Sequence, residues 1–165
     1  MKKLLLILWY FGVFPLYGFD GEIAHYLPPG IAIQSPNGAY ECWSERGKDG
    51  EMALFIRERA KSERSLLYST MRTLGVAWSP NSRWLAVEDN AAATESVILI
   101  FDIGQRKFPL IYQSPVSRDS QDSWEVVKWG KARVRLKKTT RGGKESFKEI
   151  TLQDQSIRQK VEIAK

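Results

Sequence analysis

The sequence predicts an all-β chain of antiparallel, blade-like four-stranded repeats, about three of them, behind a signal peptide. Three observations predict it. The stretch Ile31–Glu58 returns, in plan, as Gly75–Asp102 after an offset of 44 residues. Each copy sets short apolar or alternating runs between Pro, Asn and Gly turns. The third run of each copy is almost wholly apolar, as expected of a strand buried on both faces. A period of 40–50 residues with several short strands per unit marks blade-like β architecture.

In chain order, Lys2 and Lys3 precede an apolar run, Leu4–Tyr17, broken only by Gly12 and Pro15. It is short for a membrane span, which needs about 20 residues. Residues 1–18 therefore read as a signal peptide cut after Gly18, the other reading being an uncleaved anchor. No cysteine follows at a lipid-attachment position. Residues 19–30 form a Pro/Gly-rich leader, where Asp20-Gly21 and Pro28-Pro29-Gly30 signal turns and exclude regular structure. The repeat domain is expected over residues 31–165, with units at 31–70, 75–114 and a degenerate 123–163.

The two clear units align station by station. Ser35-Pro36-Asn37 falls on Ser79-Pro80-Asn81, Tyr40 on Trp84, Ala53–Ile56 on Val97–Ile100, and Leu66–Tyr68 on Leu110–Tyr112. Proline lacks an N–H and belongs in the turn rather than in a sheet interior. Asn37-Gly38 then supplies the positive φ of a tight hairpin. Ser82 replaces Gly38 in the second unit, which leaves a different turn type open. The second strands are expected at Ala39–Ser44 and Arg83–Glu88, and the loops after them at Arg46–Glu51 and Asn90–Thr94.

The run from Trp78 to Val87, WSPNSRWLAV, followed by VILIFD over Val97–Asp102, resembles the TolB-like (WD-repeat-like) β-propeller repeat. That repeat usually shows Ser-Pro-Asp-Gly-Lys and then an aromatic-Leu-Ala strand. Here Asn stands for Asp in both copies. The resemblance covers Ile31–Tyr112 and implies a partial β-propeller. Such repeats serve protein binding, envelope scaffolding and the lid domains of some peptidases, so function is implied only as a class.

The third unit is weaker. Trp124–Trp129 reads as its first strand, with Trp129 at the station of Trp78. Arg133–Lys137 alternates, with Val134 and Leu136 on one face and three cations on the other. Arg141–Lys144 is a turn, and Phe147–Leu152 and Ile157–Ile163 are the following strands. The rival reading is a C-terminal hairpin capping the first two units.

Candidate chemistry is sparse. Cys42 is the one cysteine, so no internal disulfide forms, and it reads as a small buried hydrophobe. His25, the one histidine, has no ligand-spaced neighbours. Glu88-Asp89, and Glu41 with Glu45, could serve as paired acids, but acids near strand ends are usually solvated turn residues. Asp49-Gly50-Glu51 lacks the alternating acids of a calcium loop. There is no Gly-x-Ser-x-Gly and no phosphate-binding glycine loop. Catalytic, cofactor and metal assignments are none. The tryptophans at 43, 78, 84, 124 and 129 read as packing between blades rather than as a ligand platform.

Charge is the remaining signal. Residues 19–127 carry a net −4 and residues 128–165 a net +8. Arg133, Arg135, Lys137, Lys138, Arg141 and Lys144 are therefore the candidate contacts for an anionic partner, against the plainer reading of a solvated outer face. Aromatics for base stacking are scarce there, which argues against nucleic acid.

The expected function is an exported (periplasmic or secreted), non-enzymatic module for protein interaction or scaffolding. Its partner is another protein or a second copy, and no membrane span remains after cleavage. The contacts are expected on loops 47–51, 90–94 and 115–122. The alternative is a binder of an anionic envelope polymer or glycan through the basic C-terminal third. A third reading is an enzyme whose site forms only on assembly.

Overall fold

The computed structural model describes residues 23–92, 95–116, 122–153 and 156–163. The expected signal peptide lies outside the described residues, as do 93–94 and 117–121 of two expected contact loops. All regular structure described is β: β1 (Ile23–Ala24), β2 (Ala32–Gln34), β3 (Tyr40–Arg46), β4 (Met52–Glu58), β5 (Arg64–Thr70), β6 (Thr73–Trp78), β7 (Trp84–Ala92), β8 (Glu95–Asp102), β9 (Leu110–Gln113), β10 (Ser123–Trp129), β11 (Arg133–Thr139), β12 (Glu145–Gln153) and β13 (Ser156–Ile163).

These strands make three antiparallel sheets. Blade 1 is β2-β3-β4-β5, blade 2 is β1-β6-β7-β8-β9, and blade 3 is β10-β11-β12-β13. The third unit is thus a full four-stranded sheet and not a capping hairpin. Its weak sequence likeness lies in its turns, not in its strands.

One apolar cluster joins blades 1 and 2. It draws Cys42, Leu54 and Ile56 from blade 1 and Val76, Trp78, Leu85, Val87, Leu99 and Phe101 from blade 2. A second joins blades 2 and 3 through Ala77, Trp84, Ala86, Ile98, Ile100 and Tyr112 against Trp124, Val126, Trp129, Val134, Leu136 and Ile150. Alternate residues of blade 2 therefore enter opposite clusters, as strand geometry dictates. That is why β8 is apolar without a break from Val97 to Phe101.

The repeated turns staple the blades. Ser35 and Ser79 hydroxyls each donate to the Asn two residues on, at 2.8 Å, and each accepts the N–H five residues on. The Asn37 N–H donates to Ser82 Oγ at 2.9 Å, and the Asn81 amide donates to the Lys131 carbonyl at 3.1 Å. The turn of each unit thus reaches the turn of the next. Ser82 sits at φ 59° where Gly38 sits at 68°, and the bonds around them match. The two turns are of one kind, and the different type left open by the Ser82 substitution is not used.

The leader corrects another expectation. Despite its prolines it contains β1, which pairs with β6 in the register Ile23↔Ala77 and Ala24↔Val76. Gly75 admits it: a Cβ there would lie 2.7 Å from the His25 carbonyl oxygen. Likewise β7 runs through Ala92 instead of ending at Glu88.

The two outer faces differ from the inner ones. At the 44-residue offset, Leu85, Val87, Leu99 and Phe101 of blade 2 correspond to Glu41, Trp43, Phe55 and Arg57 of blade 1. The buried apolar face of blade 2 is thus replaced, on blade 1, by one bearing charges. Blade 3 likewise turns Val134 and Leu136 inward and Arg133 and Arg135 outward.

One outcome follows. Ser82→Ala keeps the left-handed strain and loses the bond to Asn37, whereas Ser82→Gly loses the bond but relieves the strain. Urea unfolding should place the Ala variant about 1 kcal/mol below the Gly variant; equal stabilities would contradict the turn geometry.

Candidate functional site

The outer face of blade 1 concentrates the chemistry suited to recognition. Trp43 on β3 lies opposite Phe55 on β4, and their rings stack with centroids 5.9 Å apart at 27°. Arg57 lies over the Trp43 ring at 5.6 Å and Arg64 over the Phe55 ring at 4.2 Å. Glu41 accepts from Arg57, while Glu45 accepts from Arg64 at 2.5 Å and from the Trp43 indole N–H at 2.9 Å. The indole and Arg64 hold the Glu45 carboxyl below its usual range. Leu66, which pairs with Phe55, is 59% exposed. The sheet thus presents an aromatic pair, two cations over it, two acids that fix the cations, and an open leucine. Trp43 is therefore not between two blades, unlike the buried Trp78, Trp84, Trp124 and Trp129.

The basic residues of blade 3 do not form one patch. Arg133 pairs with Glu149 at 3.2 Å, and Lys137 with Glu125 at 2.5 Å and Glu145 at 3.4 Å. Arg135 lies over the Phe147 ring at 4.5 Å. These three share the outer face. Lys138 points the other way, toward Asp122 at 2.6 Å and over the Trp124 ring. Arg141 and Lys144 stand on the exposed β11–β12 turn. The sequence showed the excess of cations but not the cross-strand acids that meet them.

Two of the four acids read as solvated turn residues are buried. Glu88 and Asp89 are 2% and 5% exposed. Asp89 accepts from Tyr68 Oη at 2.6 Å and from Thr70 Oγ1 at 3.2 Å, which ties blade 1 to blade 2; burial first, and then this contact, pushes the Tyr68 phenol up. Glu88 accepts the Val126 N–H of blade 3 at 2.7 Å and meets His25 Nδ1 at 3.0 Å. Burial pushes its carboxyl above the usual range. Sequence reasoning missed both because a β-branched or apolar neighbour, not an acid, normally signals burial. Among the described residues no three His, Cys, Asp or Glu side chains are grouped to hold a metal ion.

No protein-family model matches the chain, and no curated protein does. Among solved structures it is similar to the β-propeller domain of the Trilobed protease from Pyrococcus furiosus, a propeller of open velcro topology, with a TM-score of 0.55 at 11% identity. The match covers 81% of this chain and 43% of that one, so the chain spans less than half of its structural neighbour. At that identity the likeness shows the fold: the blades are those of a β-propeller. It also corrects the expectation of a non-enzymatic chain. The matched propeller is a domain of a protease, so propeller blades give no ground for setting enzymes aside.

Proposed function

We propose that this chain is an exported, TolB-like (WD-repeat-like) propeller module that recognises another protein through the outer face of blade 1. The observation carrying this reading is the Trp43–Phe55 stack beneath Arg57 and Arg64 with Leu66 open beside it. Aromatic residues and arginine are the side chains enriched in protein interfaces and in their hot spots. The acids Glu41 and Glu45 hold the arginines in place beforehand, which lowers the entropy lost on docking. The stacked blades supply the rigid support.

The anionic-polymer reading through the C-terminal third draws less support. Of its six cations, Arg133, Lys137 and Lys138 already face carboxylates, and only Arg141 and Lys144 project from a turn.

The test uses the full chain expressed with its N-terminal segment and cross-linked in cells. Arg64→Glu with Leu66→Glu should abolish the cross-linked partner, while Arg141→Glu with Lys144→Glu should leave it. The same complex, recovered without cross-linker, should survive about 0.5 M salt, where exposed charge attraction is largely screened. Loss only in the Arg141/Lys144 variant, or dissolution in salt, would instead favour the polymer. A fractionation that leaves the protein in the cytosol would remove the exported part of the reading.

A further inference from the structure

We propose that Asn37-Gly38 is a modification site of the chain itself: a pair set to deamidate through a cyclic imide, held unreacted by the native turn and released when that turn opens. The reaction needs no enzyme. The Gly38 nitrogen attacks the Asn37 side-chain carbon Cγ, the Cγ–Nδ2 bond breaks, and ammonia leaves carrying the Gly38 proton. Water then opens the ring. Opening at Cγ leaves an ordinary aspartate at position 37. Opening at the main-chain carbonyl leaves an isoaspartate, whose backbone runs through the side chain and is one methylene longer. Glycine permits the close approach because it has no Cβ to block it. Asn37 is exposed, so water reaches the ring and ammonia escapes.

The fold holds both reacting groups. The Gly38 N–H must give up its proton before the nitrogen attacks. It donates instead to the Ser35 carbonyl at 2.8 Å, and Ser35 is 3% exposed. The Gly38 carbonyl accepts from Arg59 Nη1 at 3.3 Å, so the residue is pinned at both its ends. The carboxamide is pinned through Oδ1, which accepts from Ser35 Oγ at 2.8 Å and from the Ala39 N–H at 3.0 Å. Blade 2 adds a further hold, through Ser82 Oγ on the Asn37 N–H at 2.9 Å. Ring closure turns the side chain and the Gly38 peptide against each other, and these bonds oppose it together. Its barrier therefore includes the cost of opening the turn.

The second turn lacks the liability. Asn81 makes the same bonds with Ser79 and with the N–H two residues on, but it precedes Ser82, whose side chain crowds the attacking nitrogen. The Asn81 amide also donates to the Lys131 carbonyl at 3.1 Å, so its leaving nitrogen is itself held. At position 37 the two products differ in consequence. An aspartate offers Ser35 and Ala39 the same acceptor and keeps the turn. An isoaspartate lengthens a hairpin whose strands pair Gln34↔Glu41, and moves its donors and acceptors out of step. An opening that ends there does not reverse, and it damages the seam between blades 1 and 2.

Peptide mapping by mass, after incubation of the full chain in mildly alkaline buffer, tests this. Asn37 should deamidate roughly tenfold or more slowly in the folded chain than in a free peptide of residues 31–44, because local opening gates it. Ser35→Ala, which frees Oδ1, should speed the reaction several-fold, and Arg59→Ala should do so to a smaller extent. Val134→Ala, which opens a cavity in the other seam, should leave the rate near that of the native chain. Reaction of the native chain at the peptide's rate would overturn the proposal, as would no change in both turn variants. So would a Val134→Ala chain that reacts as fast as Ser35→Ala, since global unfolding would then carry the reaction.

Discussion

The middle sheet has a neighbour on each side, and most of the architecture follows from that. A sheet covered on both faces can show water only its turns and its edges. Its strands must be apolar at successive positions, and any polar group within them must find a partner across a seam. Consecutive residues of a strand point to opposite faces. Glu88 and Asp89, adjacent on β7, therefore deliver one carboxylate to each seam: Glu88 to blade 3 and the leader, Asp89 to blade 1. Buried acids of this kind add direction to seams that apolar contact alone would leave free to slide, because each accepts from named donors at fixed positions.

The turns supply the second constraint. The Ser-Pro-Asn motif closes its own hairpin with its side chains and still has groups left to reach its neighbour. The contact from Asn37 to Ser82 explains why the second unit can hold a serine where the first has glycine. The side chain whose Cβ makes the left-handed backbone costly also brings the hydroxyl that accepts the neighbour's N–H. Substitution at a repeat station need not weaken the repeat when the new side chain serves the seam.

Much of the fold was legible because it is written in periodicities. The 44-residue offset, the paired turns and the alternation of Arg133–Lys137 are local patterns, and local patterns survive in sequence. What was not legible depends on approach between distant segments. The leader holds a strand because Gly75, some 50 residues later, lacks a side chain. Glu88 and Asp89 are buried because blades 1 and 3 cover them. The cations of blade 3 looked like a patch because the sequence counts charges without their cross-strand partners. The Trp43 platform was hidden for the same reason. Its tryptophan matches the stations of core residues, and only the lack of a described blade on that side sets it apart.

The single cysteine adds a property of another kind. Cys42 is fully buried in the seam between blades 1 and 2, and burial pushes its thiol up to about 12. Thiol chemistry runs through the thiolate, so the sulfur is silent toward alkylating and oxidising reagents while the seam is shut. This thiol therefore needs no disulfide partner to stay reduced while the chain is folded. The same atom is a built-in reporter of blade separation: the rate at which it is labelled measures how often the first seam opens.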